Sequence, residues 1–552
     1  MPDKNLSNIR IKHDIYDDNG SYIERELVIK PNESYYDKDG VLHNDGTDIK
    51  IIEDPSLFSS HVSLMDNKQV ITKIDSEIKK ITKDCSKNEY DNLPISKRTD
   101  NKLYFIYDNS DSEKINEVYG FHIDPTESDP SDAVTYLALA MSMTPAKMGE
   151  TTFSYGSWAD AFFMPKPCMV KCDGTVDYYL DPNDYTKKLD GTASDVANLN
   201  YDGNAMMEWP LIWYKYDTEG MADGEYSFYV SNKQIDENYR CWCNYDADGN
   251  IIPHFYTAIY NGTCAPNYST SRTYEVGDRV SRNGQEYTCK TAITTPQQWT
   301  LSKWNLEYRY TRMRSLSGVA ITRDNGNGYL TVTAGINRCL SNNKTTSTEW
   351  FTDILVDRQL ISMLLVLIGK SLDTQSVFGM GLTVASVDEK QSYITGTLND
   401  KGLFWGNTSN STNAVKVFGM ENFWGAVNHQ VAGLINNKIK LTHSTVDGST
   451  TDAFNTNGNG YIPIPISKIS VGGFLTKMAI VNDTPIPILA GGTSSTYYCD
   501  YVTLSNPYLV CGGYNQTDKS GAFYCESVSS TNSNYTNATT LSLKPLISRF
   551  DT

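Results

Sequence analysis

Over its first 75 residues the chain alternates polar with apolar or β-branched positions between the turn signals "DDNG", "DKDG" and "HNDG". Asp/Asn-Gly pairs accept the positive φ that tight hairpin turns require, so this pattern predicts a β-rich opening of hairpins over residues 1–70. The period then changes. In "ITKIDSEIKKITKDC", Ile71, Ile74, Ile78 and Ile81 fall three, four and three apart, which predicts a short amphipathic helix. Alone, that helix would waste its isoleucine stripe on water, so it should pack on its own domain or on copies of itself. "EYDNLPISKRTDNKLYFIYDN" (89–109) follows as a turn leading into a strand, "KLYFIYD". Ser128 or Asp129 stands as a cap before Pro130, predicting a helix in "SDAVTYLALAMSM". "DGNAMMEWPLIWYKY" (202–216) predicts an aromatic strand, and "LISMLLVLIG" (360–369) a buried helix too short to cross a bilayer.

Composition narrows the function classes. At 552 residues the chain exceeds one ordinary core, so three or four domains are expected. Its net charge of −18, with no basic run and no Walker-type glycine loop, argues against a nucleic-acid partner. "MPDKNLSNIRIKHD" has no apolar core of a signal peptide, so a soluble chain without membrane insertion is expected. Tyrosine is over-represented, 37 against 17 Phe and 9 Trp, which suits either binding surfaces or sheet interiors. Eleven cysteines, close only in "PCMVKC" and "CWC", read as free buried thiols; no metal site and no cofactor are expected. "NYDADGN" spaces Asn244, Asp246 and Asp248 like a calcium loop, but the twelfth position is Phe255, so a hairpin turn is the reading.

One segment stands apart. "YEVGDRVSRNGQEYTCK" followed by two tryptophans reads as strand, Asn283-Gly284 turn, strand, and a loop ending on Trp304. Through Tyr274, Gly277, Asp278, Val280, Gly284, Tyr287 and Trp304 it is similar to the carbohydrate-binding modules of families 5 and 12. That resemblance implies a small all-β module, inserted at 263–311, that stacks sugar on exposed aromatics. After "YTCK" the chain has "TAITTPQQ" where the family often places a pair of exposed aromatics, leaving Trp299 and Tyr274 as sugar-stacking candidates, with Tyr287 and Trp304 in the core. Sugar binding and a spacer role both stay open.

Downstream, "GLFWG", "KVFGMENFWGAV", "GG…GAFY" and "LISRF" occur in an order that resembles the C-type lectin fold of formylglycine-generating enzymes. It resembles more closely phage receptor-binding tail proteins and the variable proteins of diversity-generating retroelements. The "EY…L…D…LYFI" unit near residue 100 is likewise similar to hairpins of phage baseplate and tail-fibre proteins. The resemblance implies an α+β, β-rich multidomain chain. An N-terminal virion-attachment region (1–70) and a helix-and-hairpin connector (71–116) would precede a lectin-like domain in two parts, 117–262 and 312–552, around the insertion. Phe423, Trp424 and Trp405 are expected as structural core, with Phe423 and Trp424 on opposite faces of a strand between Gly419 and Gly425.

By the same resemblance, receptor binding falls on Tyr508, Tyr514, Asn515, Thr517, Lys519, Ser527, Ser529, Asn532, Asn534 and Tyr535. Their Tyr, Ser and Asn mix joins rigid anchors to adaptable hydrogen bonders. The enzymes of that fold use a cysteine pair for copper, whereas Cys499, Cys511 and Cys525 sit elsewhere, and "AVNHQ" stands where many relatives have "NVWEW". His429 is then an ordinary packed or surface histidine and not a base. No enzyme is expected. The implied role is a homotrimeric tail-fibre adhesin of the virion, made in the bacterial cytoplasm, whose partners are a host surface glycan or protein and other tail or baseplate proteins. A structural baseplate protein and a tail-associated polysaccharide-degrading enzyme are the alternatives.

Overall fold

A computed structural model describes most of residues 117–549, apart from 309–310, 322–329, 344–348, 385–392, 466–471, 505–507, 514–516 and 530–536; before residue 117 it describes only the backbone of six strands. The chain divides into two compact units, Met1–Ile115 and Asn116–Thr552.

In the first unit, Ile9–Tyr16 pairs antiparallel with Tyr22–Ile29 around the "DDNG" turn. The register sets Ile9, Ile11 and Ile15 opposite Ile29, Leu27 and Ile23. Tyr35–Tyr36 and Leu42–His43 form a second hairpin around "DKDG". The expected isoleucine helix meets a correction at its end: Thr82–Ser86 is a strand, paired in parallel with Leu103–Tyr107. Residues 71–81 lie outside the described residues. Thr82 and the "LYFIY" partner favour a pleated ladder, and that pairing decides Thr82–Ser86.

The second unit is β-rich. An antiparallel four-stranded sheet runs in the order Trp213–Asp217, Tyr226–Ser231, Val118–Ile123, Val134–Ala138. The last of these corrects the helix expected over 131–143. Asp129 does accept N–H bonds from Ser131 and Asp132, but it caps only a turn, and the chain then enters the sheet against Val118–Ile123. The aromatic stretch 202–216 is two strands. It breaks after Pro210, and Gly203–Pro210 joins a different sheet from Trp213–Asp217.

That other sheet has seven strands, ordered Asp184–Lys188, Val176–Asp181, Lys166–Lys171, Gly203–Pro210, His254–Ala258, Leu541–Leu543, Trp350–Thr352. Segments from both sides of 263–311 therefore share one hydrogen-bonded ladder. A third sheet gathers Asn428–Ile435, Gly473–Val481, Thr484–Gly492, Tyr501–Thr503, Tyr508–Cys511 and Cys525–Val528 with short edge pieces.

The expected apolar helix is Leu355–Gly369, buried on every side. It packs on Val118–Ile123 and on the third sheet through Asn428–Ile435 and Thr484–Gly492. Each buried Leu, Ile or Val side chain contributes roughly 1.5–3 kcal/mol on removal from water, so this helix is the main hydrophobic anchor of the unit. Its two adjacent charged residues find partners inside the core. Asp357 takes the Lys544 ammonium at 2.6 Å, and Arg358 reaches Asp353 at 3.3 Å and donates to the Phe423 carbonyl at 2.6 Å.

The "KVFGMENFWGAV" segment is a tight hairpin, Lys416–Val417 against Met420–Glu421, turning through Phe418 (φ +45°) and Gly419 (φ +80°). Phe423 and Trp424 are both buried, but on a bend rather than on opposite faces of a strand. The Trp424 indole donates to the Gly379 carbonyl at 3.1 Å, and Phe423 lies under the Arg358 guanidinium at 4.1 Å. Trp405 is corrected: it is half-buried, and its neighbour Phe404 fills the core, stacked on Phe153 at 4.5 Å. Neighbours on an extended segment point to opposite sides, so only one of the pair can face inward.

Candidate functional site

Residues 267–308 carry their own small core. Arg279–Arg282, Gln285–Cys289 and Trp304–Tyr308 form a three-stranded antiparallel sheet. The first turn places Asn283 at φ +50° and Gly284 at φ +74°, the left-handed pair that a two-residue hairpin demands. Tyr274, Val280, Tyr287, Cys289, Ile293 and Trp304 are buried together, with Tyr268 and Trp299 half-buried against them. Thr263 bridges Arg314 where the chain leaves and rejoins the body.

The aromatic cluster is tightly interlocked. Trp299 lies parallel to Trp304 (5.0 Å between ring centres, 13°) and edge-on to Tyr268 and Tyr287 (4.9 Å each). Tyr274 is 5% exposed, stacked on Tyr268 at 5.2 Å, with its hydroxyl donating to the Ser269 carbonyl at 3.1 Å. It is core, which corrects its expectation as a stacking residue; Tyr287 and Trp304 are core as expected. Two aromatics of this cluster meet solvent, Trp299 and the unforeseen Tyr268, whose hydroxyl donates to the Gln297 carbonyl at 2.8 Å. Arg282 covers both, its guanidinium carbon 4.6 Å from the Trp299 ring centre and 5.8 Å from that of Tyr268. The arginine could have been found in the sequence: it stands two residues after buried Val280, on the same face of a strand.

A buried ionic seam fixes the module to the body. Glu286 accepts from the Arg312 guanidinium at 2.8 Å, and Arg312 also reaches Asp202 at 2.8 Å. Burial alone would raise the Glu286 pKa, but Arg312 and then Arg314 outweigh it and hold the carboxyl below its ordinary value.

The C-terminal receptor-binding candidates separate. Tyr514, Asn515, Asn532, Asn534 and Tyr535 lie outside the described residues, as does the side chain of Tyr508. Thr517 is exposed on a short 3-10 turn, but its N–H donates to the Thr383 carbonyl at 3.1 Å and its carbonyl accepts from Gln375. Lys519 is half-buried, its ammonium 4.8 Å over the Tyr501 ring. Ser529 is exposed. Ser527 is buried, a correction, because its strand lies between Tyr508–Cys511 and Tyr501–Thr503 in the interior of the sheet. Tyr498 and Tyr524 are likewise buried in the packing.

Among the described residues no three or more His, Cys, Asp or Glu side chains gather as metal ligands, and ten cysteines are free thiols. His429 is buried, its Nδ1 3.2 Å from Arg358, and burial with that neighbouring charge pushes its pKa well below the usual histidine range. The "NYDADGN" loop is a turn in which Asp246 Oδ1 accepts from the Asp248 and Asn250 backbone N–H groups.

Residues 267–303 match the family model of carbohydrate-binding module family 5/12. No curated protein and no solved structure matches the chain.

Proposed function

We propose that this protein is a non-catalytic adhesin that recognises a glycan at a cell surface, and that it serves on a phage virion as a tail-fibre or tail-tip protein. One observation carries the glycan reading. The stretch that matches a carbohydrate-binding module also has its own sheet and core, and its aromatic cluster reaches solvent at Trp299 and Tyr268. Half-exposed Trp and Tyr rings supply rigid, amphipathic contact area at low entropic cost.

The virion setting is supported by the resemblance of the downstream segments to phage receptor-binding proteins and by the hairpin-built N-terminal unit. In that setting the N-terminal hairpins attach to other tail proteins. Thr517, Lys519 and Ser529 belong to a second receptor-facing region, and a homotrimer multiplies weak single sites by avidity.

The test is binding of the purified full chain to cells of a susceptible bacterium, with Trp299→Ala and a Thr517→Ala/Ser529→Ala double variant beside it. Saturable binding weakened about tenfold by Trp299→Ala is expected, with melting checked to show that the body stays folded. Binding unchanged in Trp299→Ala but lost in the double variant would move recognition to the C-terminal loops. No binding to cells would favour a structural tail role. Release of reducing ends from host polysaccharide would overturn the non-catalytic reading.

A further inference from the structure

The half-exposed rings of this module are not bare. Trp299 has Trp304 parallel to it at 5.0 Å, and a guanidinium lies 4.6 Å from its centre. A platform for a neutral sugar needs an open ring face, and Arg282 occupies that position on Trp299 while also reaching over Tyr268. Its neighbours are committed elsewhere: Arg279 reaches Glu286 at 3.4 Å and Asp202 at 3.6 Å, and Arg312 binds the same two carboxylates. Among the described residues the Arg282 guanidinium has no ion pair and no hydrogen bond; its contacts are the two rings.

We propose that Arg282 is an anion anchor, held over Trp299 and Tyr268, and that the ligand of this module is an acidic saccharide bearing carboxylate or phosphodiester groups. This rests on the glycan-binding reading of the module. A guanidinium stacked on an aromatic face keeps its planar fork of N–H donors free at the edge, pre-oriented for two parallel bonds to anionic oxygens. Local charge agrees. Residues 267–303 hold five basic and three acidic side chains, a positive surplus within a chain of net charge −18. Lys303 adds a second cation near the rings, its ammonium 3.4 Å from Oε1 of Gln297, the residue whose backbone carbonyl holds the Tyr268 hydroxyl.

The experiment is affinity measurement of the full chain against three probes: polygalacturonate, poly(glycerol phosphate) and a neutral chitin oligosaccharide. The two anionic polymers supply carboxylate and phosphodiester chemistry separately, so their ranking identifies the anion. Tighter binding to an acidic probe than to the neutral one is expected, weakening as salt rises. Arg282→Gln should lose about tenfold or more, Arg282→Lys should keep part, and Lys290→Gln, an exposed charge with no cation–ring contact among the described residues, should lose little. An equal loss in Lys290→Gln would reduce the effect to diffuse charge attraction and overturn the anchor. Binding of the chitin oligosaccharide as tight as that of the acidic probes, or tightened by Arg282→Gln, would make the arginine a lid over a neutral site. That result overturns the inference and leaves the glycan reading standing. Binding of none of the three probes overturns both.

Discussion

Gly425 has no room for a methyl group. Its φ is +80°, and a Cβ there would stand 2.8 Å from the Leu382 backbone nitrogen. The backbone is held at that distance because Ala426 donates to the Leu382 carbonyl and Gly425 to the Gly512 carbonyl, each at 2.8 Å. Gly425→Ala should therefore destabilise the fold by about 3 kcal/mol, read as a lower midpoint in urea unfolding. His443 makes a pH-dependent case. It sits edge-on to Phe351 and Phe454, and burial, with Lys544 and Lys440 nearby, lowers its pKa to about 3. Between the unfolded value near ~6.5 and that folded value, the unfolded chain takes up a proton that the folded chain refuses, so stability falls as pH falls. The stability difference between His443→Phe and the parent should shift in favour of the variant by about 1.4 kcal/mol per pH unit across that window. Unfolding curves at several pH values check it, and a pH-independent difference would refute the assignment.

Among elements, the helix Leu355–Gly369 carries the sharpest energetic test. Asp357 and Lys544 are both buried, 2.6 Å apart, and Lys544 also donates to the Cys243 carbonyl. Breaking the pair from one side leaves a charge without its partner, so Lys544→Met should lose about 3–5 kcal/mol. Asp357→Leu/Lys544→Met should lose much less than the two single changes together, and a double-mutant cycle by urea unfolding measures the difference. This helix was legible in the sequence because an unbroken apolar run of its length has few other resting places. The Asn283-Gly284 and "DDNG" hairpins were legible because their turns require particular residues. The helix expected at 131–143 was not, since Val134–Ala138 is decided by its pairing with Val118–Ile123, a partner that local propensity cannot see. In the candidate site, Trp299 could be read from its position in a family pattern. Tyr274 was misplaced because a solvent-facing tyrosine and one pinned to its own loop have the same local sequence. Arg282 could be placed on the strand face of Val280, but not over Trp299 and Tyr268, which come from elsewhere in the module.

For the second unit as a whole, the ionic seam joins the inserted module to the body. Glu286 and Arg312 are both fully buried, and Glu286 also accepts the Arg312 backbone N–H at 3.1 Å. Glu286→Gln removes the charge that Arg312 was buried to meet, and a loss of about 3–5 kcal/mol is expected. Limited trypsin digestion should then cut within 267–308 before the body, whereas equal resistance of variant and parent would show the seam to be dispensable. The Thr263–Arg314 bridge has a different consequence. Because the chain departs and returns at adjoining points of the body, the position behaves as a socket into which another small domain could be grafted without re-threading the sheets. Compatibility would depend on one feature of the guest. It must bring a carboxylate to Arg312, so the body selects its replacements by charge before it selects them by shape.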